Sequence, residues 1–387
     1  MLKTLRVMLV ANKIQNTRLF QFAGTARFAY NWALEQEKKN YGKFINDYEL
    51  RKRFTVFKQK PDNKWLYTIS NNVCKQAMKD AVEAYKKFFK GLAQYPKYKS
   101  RKRSKPSFYV DPIKIKFTAT HVKLESIAES KKKKRQSVNW FRLAEHNRVP
   151  TDAKYHNPRI SFDGLNWFLT VGIEIETPKP IASTNDGIGI DLGVKNLAIC
   201  SSGHVYKNIN KTSRVRRLKK KQRMLQRKIS RKYEKNKKGE SYQKTRNIIK
   251  SEKQLLCITH KLTDIRTNYI HQVTTEIIKR EPSFIVLEDL NVMAMMKNKH
   301  LAKAIQEQKL SEFYMITRYK CEWNGIKLIT ADRFYASSKT CSICGSIKKD
   351  LKLSDRTYHC ENCGAVIDRD FNASVNLYKY GKLVINH

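Results

Sequence analysis

Gly187-Ile188-Gly189-Ile190-Asp191-Leu192-Gly193 reads as a strand, and Asn196-Leu197-Ala198-Ile199-Cys200 reads as its hairpin partner. The run is apolar and rich in glycine, yet a carboxylate stands at its end. A second apolar strand, Phe284-Ile285-Val286-Leu287, ends on Glu288, and Asp370 stands just before Phe371-Asn372-Ala373, where a helix begins. Carboxylates buried at strand ends are costly unless charge compensates them. Three brought together repel one another and call for divalent cations. Two Mg2+ ions held by such a cluster activate a water and stabilise the leaving 3′ oxygen of a phosphodiester. Asp289 follows Glu288 and Asp368 precedes Asp370, so periodicity alone leaves the choice between neighbours open.

The surrounding pattern alternates strands and helices once the chain has passed the boundary Thr177-Pro178-Lys179-Pro180. A long helical stretch runs from about Lys211 to Arg280. Its first part, to Lys238, is densely basic, with Glu234 its one acid; its second part carries Leu255, Ile258, Leu262, Ile265, Tyr269, Val273 and Ile277 at the spacing of a packed helix. Ile326 to Thr330 is a further strand, and Phe371 to Tyr380 a closing helix.

Cys341-Ser342-Ile343-Cys344 and Cys360-Glu361-Asn362-Cys363 form two close pairs separated by residues 345–359. Two knuckles at this separation place four thiolates around one zinc ion. Each pair is followed by a glycine, Gly345 or Gly364, suited to a tight turn. Four cysteines fill the tetrahedron, so the site is structural, and His359 is read as a ribbon side chain. Cys74, Cys200, Cys257 and Cys321 are isolated thiols.

The first half differs in character. Met1 to Val10 reads as a strand, and about residues 15–95 as helical. One amphipathic helix covers Asn71 to Phe89, with Lys75, Gln76 and Lys79 on its polar face. The segment Tyr95 to Tyr109 interleaves rings with cations, including Tyr98, Lys99, Arg101, Lys102 and Arg103; rings stack on bases and cations bind phosphates. Phe108–Val110, Ile113–Phe117, Val122–Leu124, Arg159–Phe162 and Trp167–Ile173 read as short strands, with Asp163-Gly164 as a hairpin turn and the run Lys131–Arg135 in a loop. Several short strands point to a small barrel. If the opening strand joins it, the helical segment is an insertion.

The whole chain has 387 residues, with 79 Lys plus Arg against 34 Asp plus Glu, a net charge of +45. Hydrophobic residues at 41% and aromatic residues at 11% are enough for cores, which a disordered basic tail would lack. The length suggests two or three domains. An excess of this size needs a polyanion. No run is apolar enough to span a bilayer. Charges interrupt the first ten residues, so no signal peptide is expected. The expected setting is intracellular and reducing, and the eight cysteines are not a disulfide framework.

The elements Gly189–Gly193, Val286-Leu287-Glu288-Asp289-Leu290, Ser337 to Gly345 and Asp368-Arg369-Asp370-Phe371-Asn372-Ala373-Ser374 together resemble TnpB, the transposon-associated RNA-guided nucleases related to type V CRISPR effectors. Asn31-Trp32-Ala33-Leu34 and Pro96 to Arg103 resemble the N-terminal half of that family. The resemblance implies an α/β and α+β multidomain chain. A wedge β-barrel would take residues 1–12 and 106–182, and a helical recognition lobe 13–105. A RuvC-like nuclease domain of RNase H fold would take 183–387, with a zinc ribbon at about 336–367. It assigns catalysis and Mg2+ to Asp191, Glu288 and Asp370, settling the choice against Asp289 and Asp368, and zinc to the four paired cysteines. Implied cofactors are two catalytic Mg2+, one structural Zn2+ and a transposon-end guide RNA. Implied partners are that RNA, one protein per RNA, and double-stranded target DNA, in a prokaryotic cytoplasm at the nucleoid. Base pairing would read sequence while the protein reads a short flanking motif. Lys75, Gln76 and Lys79 are the candidates for that reading; Tyr98, Lys99, Arg101, Lys102, Arg103 and the basic helices after Lys211 are candidates for gripping the nucleic-acid backbone. The alternatives are a nuclease-inactive RNA-guided repressor, a DNA-joining transposase, and a basic zinc-ribbon RNA-binding protein without an active site.

Overall fold

The computed structural model describes residues 1–40, 44–125, 138–178, 186–239, 241–352 and 355–386. The basic run Lys131–Arg135 and Lys179-Pro180 of the boundary segment lie outside the described residues. The chain packs as two units, Met1–Glu176 and Thr177–His387.

The first unit runs β1 (Leu2–Val10), α1 (Lys13–Lys39), α2 (Asp47–Gln59), a 3-10 turn over Pro61–Thr68, α3 (Asn71–Phe89), β2 (Ser107–Tyr109), β3 (Lys116–Phe117), β4 (His121–Lys123), β5 (Trp140–Leu143), β6 (Tyr155–Phe162) and β7 (Trp167–Glu174). Its seven strands form one antiparallel sheet in the order β2-β6-β7-β1-β5-β4-β3. The opening strand therefore lies mid-sheet, and α1 to α3 are inserted between it and β2. Asn12 and Gln15 form a capping box at the start of α1. The Gln15 amide also donates to the carbonyls of Val138 and Trp140, pinning the helix start to β5. Asp163 accepts from the amides of Leu165 and Asn166 and closes the β6–β7 hairpin. The strand expected over Ile113–Phe117 shrinks to Lys116–Phe117. Asp111 takes the preceding residues into a turn, its carboxylate accepting from Ile113 and its carbonyl from Lys114 and Ile115.

The second unit runs β8 (Ile188–Leu192), β9 (Asn196–Cys200), β10 (Val205–Lys207), α4 (Ser213–Lys235), β11 (Lys237–Lys238), β12 (Ser241–Tyr242), α5 (Arg246–Ile278), β13 (Phe284–Glu288), α6 (Val292–Met295), α7 (Ala302–Gln308), α8 (Leu310–Asn324), β14 (Lys327–Ala331), β15 (Thr357–His359), β16 (Val366–Asp368) and α9 (Arg369–Asn386). The helical stretch expected from Lys211 to Arg280 is two helices. Asn236 closes α4 by donating to the Lys232 carbonyl, and Thr245 caps α5 by accepting from the Ile248 amide. The main sheet has the order β10-β9-β8-β13-β14. β8, β9 and β10 are antiparallel neighbours, while β13 runs parallel to both β8 and β14.

Strand alternation divides the two faces of this sheet. Ile188, Ile190, Ile285 and Leu287 pack with residues of α5 and α8, including Ile270, Val273, Phe313 and Ile316. Phe284 and Val286 pack on the other face with Leu377 of α9. Gly187 and Gly189 share that second face: a Cβ at Gly189 would stand 2.2 Å from the Ser374 carbonyl oxygen and 2.3 Å from the Tyr378 nitrogen. The backbone of α9 therefore lies directly on β8.

Candidate functional site

Period two carries this arrangement to the carboxylates. Asp191 follows Gly187 and Gly189, and Glu288 follows Phe284 and Val286, so both belong to the α9 face. The register pairs Leu287 with Ile190, and one step further on each strand stand Glu288 and Asp191. Asp370 lies in the first turn of α9. Burial first, and then the charges of Glu288 and Asp370, push the Asp191 carboxyl well above its usual range. Burial also raises Glu288, against the pull of a hydrogen bond from Ser337. The Ser337 hydroxyl donates to Glu288 Oε1 at 2.5 Å. The guanidinium of Arg369 donates to Asp370 Oδ1 at 2.8 and 3.1 Å, with Asp370 only 15% exposed.

The neighbouring acids have other work. Asp368 accepts from the amides of Asp370 and Phe371, both at 3.0 Å, and so caps α9. Asp289 is exposed to solvent on one side and paired with Arg333 at 2.5 Å. Glu288, Ser337 and Arg369 open into a cleft of about 480 Å³, whose lining adds Arg333, Lys339 and Lys352. An acid cluster rimmed by cations can take a phosphodiester and divalent ions together.

Among the described residues, Cys341, Cys344, Cys360 and Cys363 are the only three or more Cys, His, Asp or Glu whose ligand atoms all lie within 4.8 Å of one another. Cys341 and Cys363 sulfurs are 3.7 Å apart, and Cys344 and Cys360 sulfurs 3.5 Å. A zinc tetrahedron with bonds near 2.3 Å has edges of about 3.8 Å, so the cysteines fit such an ion without rearrangement. The two knuckles repeat one geometry. Gly345 and Gly364 have φ of 79° and 71° and donate to the Cys341 and Cys360 carbonyls at 3.0 Å. The Ser346 hydroxyl, with its amide, draws the Cys344 thiol down to about 5, while burial and hydrogen bonds with the neighbouring cysteines push Cys363 up to about 12. Tyr358, 1% exposed, packs beneath the knuckles and donates to the carbonyls of Lys339 and Ser346.

The nucleic-acid candidates of the first unit have unequal surroundings. Lys75 and Lys79 are exposed on α3. Gln76 instead donates to Asp80, which is held by Arg159 in a two-pronged pair at 2.7 and 2.8 Å. Arg101, Lys102 and Arg103 are exposed, and Tyr98 lines an open groove of about 830 Å³ with Arg27, Trp32, Arg53 and Phe57. Lys99 is half-buried with its Nζ 3.6 Å from the centre of the Tyr30 ring, and Asn31 clasps its backbone with two bonds of 2.8 Å. In the second unit, α4 buries only Val215 and Ile229 and leaves Lys221, Arg227, Lys228, Arg231 and Lys235 along an open groove.

Ser337, Arg369, Asn372 and Asn376 were not singled out as functional from sequence. Asn372 and Asn376 are one helical turn apart in a helix that buries Ala373 and Leu377, and two buried amides at that spacing are the signal that could have found them.

Three family models match in succession: "Helix-turn-helix domain" at residues 1–45, "Probable transposase" at 170–299 and "Cas12f1-like, TNB domain" at 311–377. The first of these segments here begins with one strand and one 27-residue helix, β1 and α1. A Streptomyces pristinaespiralis protein named "Putative RNA-guided DNA endonuclease" is 30% identical over 95% of this chain and 86% of its own length. Its Escherichia coli counterpart, with the suffix InsQ, is 26% identical over 96% of this chain and 90% of its own. Among solved structures, the Cas12f1–sgRNA–target DNA complex matches with a TM-score of 0.52 at 15% identity, covering 98% of both chains, which is a likeness of fold. Similarity of this extent, running through the acids and the cysteine ribbon alike, makes the chain a member of the TnpB family, related to the type V CRISPR effectors.

Proposed function

We propose that this chain is an RNA-guided DNA endonuclease that binds a guide RNA and cleaves target DNA at Asp191, Glu288 and Asp370. The observation that carries the reading is the meeting of these acids on one sheet face, on adjacent parallel strands and the helix packed over them. Residues 183–387 are read as a RuvC-like domain of RNase H fold, supported by a five-stranded sheet in which the first three strands are antiparallel and the last two parallel. The interrupted seven-stranded sheet of the first unit is read as the wedge, and α1 to α3 as the recognition lobe.

Asp191, Glu288 and Asp370 would hold Mg2+, which when bound supplies an activated water and stabilises the leaving oxygen. The ligand oxygens of the three acids do not all lie within 4.8 Å of one another, so the reading takes them to hold two ions and not to converge on one. Burial of Asp191 and Glu288 makes them strong ligands once a cation offsets their mutual repulsion. Arg369 holds Asp370 in place meanwhile, and Ser337 orients Glu288. The cysteine ribbon would hold one structural zinc ion with no open coordination position. Guide RNA and target DNA would be gripped by the basic faces of α4, the 95–109 segment and α3.

Asp191→Ala tests the reading: cleavage of a guide-matched duplex should fall by about 10³-fold or more, with guide-RNA affinity unchanged. An Asp191→Ala complex that still cuts would overturn the assignment. A wild-type complex that binds target and never cuts would favour the repressor, and strand transfer without free ends would favour the transposase.

A further inference from the structure

Resting on the acid-trio reading above, we propose that Ser337 is the positioning residue of Glu288, and that the cysteine ribbon sets Ser337 through a polar seam along α9. Ser337 is 3% exposed, and its hydroxyl bond occupies Oε1 of Glu288, leaving Oε2 for a cation. Its backbone is tied down in turn. The Asn376 amide donates to the carbonyls of Ser337 at 2.8 Å and Thr340 at 2.7 Å. The Asn372 amide donates to the Thr340 carbonyl at 2.7 Å, and its oxygen accepts from the Ser342 amide at 2.8 Å. Lys379 donates to the Ser342 carbonyl at 2.6 Å.

Positions 372, 376 and 379 make a single stripe of α9. Asn372 is fully buried and Asn376 nearly so, and a buried amide is costly to leave unpaired. The stripe grips one short segment, 337–342. That segment touches Glu288 at its start and contains the first knuckle cysteine, Cys341, near its end. Asp370 lies at the start of the same helix. The four ribbon cysteines, holding an ion, would therefore fix a segment whose other end sets one acid, against the helix that carries another. Outer-shell partners of this kind tune metal affinity.

The test uses the full chain with its guide RNA, Mn2+ as the probe, and electron paramagnetic resonance as the readout, with the Asp191→Ala complex giving the Mn2+ held by RNA alone. Ser337→Ala should weaken the protein-held Mn2+ by about 10-fold or more, while keeping one zinc per chain and a cooperative melt. Ser337→Thr, which restores the hydroxyl, should recover most of the affinity. Stripping zinc from the wild type should weaken Mn2+ binding much as Ser337→Ala does. Wild-type Mn2+ affinity in Ser337→Ala, or in the zinc-stripped wild type, would overturn the proposal. An Asp191→Ala complex that binds as much Mn2+ as the wild type would instead sink the acid-trio reading, and this proposal with it.

Discussion

Gly189→Ala tests the contact that brings the third acid to the other two. A Cβ at this position would meet the Ser374 carbonyl oxygen at 2.2 Å and the Tyr378 nitrogen at 2.3 Å, where ordinary contact begins at 3.4 Å. Both obstacles are backbone, so no side-chain rotation relieves them, and α9 must retreat by about 1 Å. Overpacking of this kind costs about 1–3 kcal/mol. For a unit of this size that lowers the melting temperature by about 2–12 °C. Asp191 is two residues further along the same face of β8, while Asp370 rides on the displaced helix. A misplacement of about 1 Å can cost about 100-fold in rate. The assay is single-turnover cleavage of a guide-matched duplex at saturating guide and Mg2+, with melting curves on the same samples. A lowered melting temperature with an unchanged rate would show that the α9 contact does not set the acids. An unchanged melting temperature would show that the helix has more room than the geometry allows.

Arg159→Ala removes the two-pronged pair with Asp80 and should cost about 1–3 kcal/mol, between a surface and a fully buried pair. Burial raises the Asp80 carboxyl, but the bonds from Arg159 and Gln76 bring it below its usual range. The pair's stabilisation is thus present above the unfolded carboxyl's value near 4 and lost as pH falls through the depressed one. Urea melts should show the wild-type advantage over Arg159→Ala shrinking below about pH 4, and a constant gap would refute this. Cys360→Ser should drop bound zinc from one per chain to none and lower the melting temperature of the second unit; metal analysis with retained zinc would contradict the four-cysteine site. Lys75→Ala should weaken cleavage of duplexes bearing the flanking motif without changing guide binding, whereas unchanged flank preference would remove the α3 face from the site.

The parts legible in the sequence are those encoded locally. Short apolar runs found β8, β9 and β13, and paired spacing found the cysteines. The ends of α3 at Asn71 and Phe89 were likewise readable, to the residue, although Phe89, read with its apolar face, is 64% exposed. What was not legible depends on distant partners. β5 is four residues long and exists because β1 and β4 flank it. The alternation at Ile113–Phe117 lost to the turn that Asp111 closes from upstream. The break between α4 and α5 is masked because basic, helix-favouring residues lie on both sides of it. Lys99 looked like a phosphate ligand, but the ring that receives it lies in α1. Ser337 and Glu288 are 49 residues apart, so nothing local announces their bond.

The mid-sheet place of β1 has a consequence for how the chain is made. Its two neighbours are β5 and β7, so about 130 residues must follow it from the ribosome before either partner appears. At about 5–20 residues per second, the strand waits roughly 7–26 s with both edges open. Three helices emerge during that interval and can cover its apolar face before the sheet closes around it. Slow, non-local pairing of this kind makes the nascent first unit the stage of synthesis most exposed to aggregation.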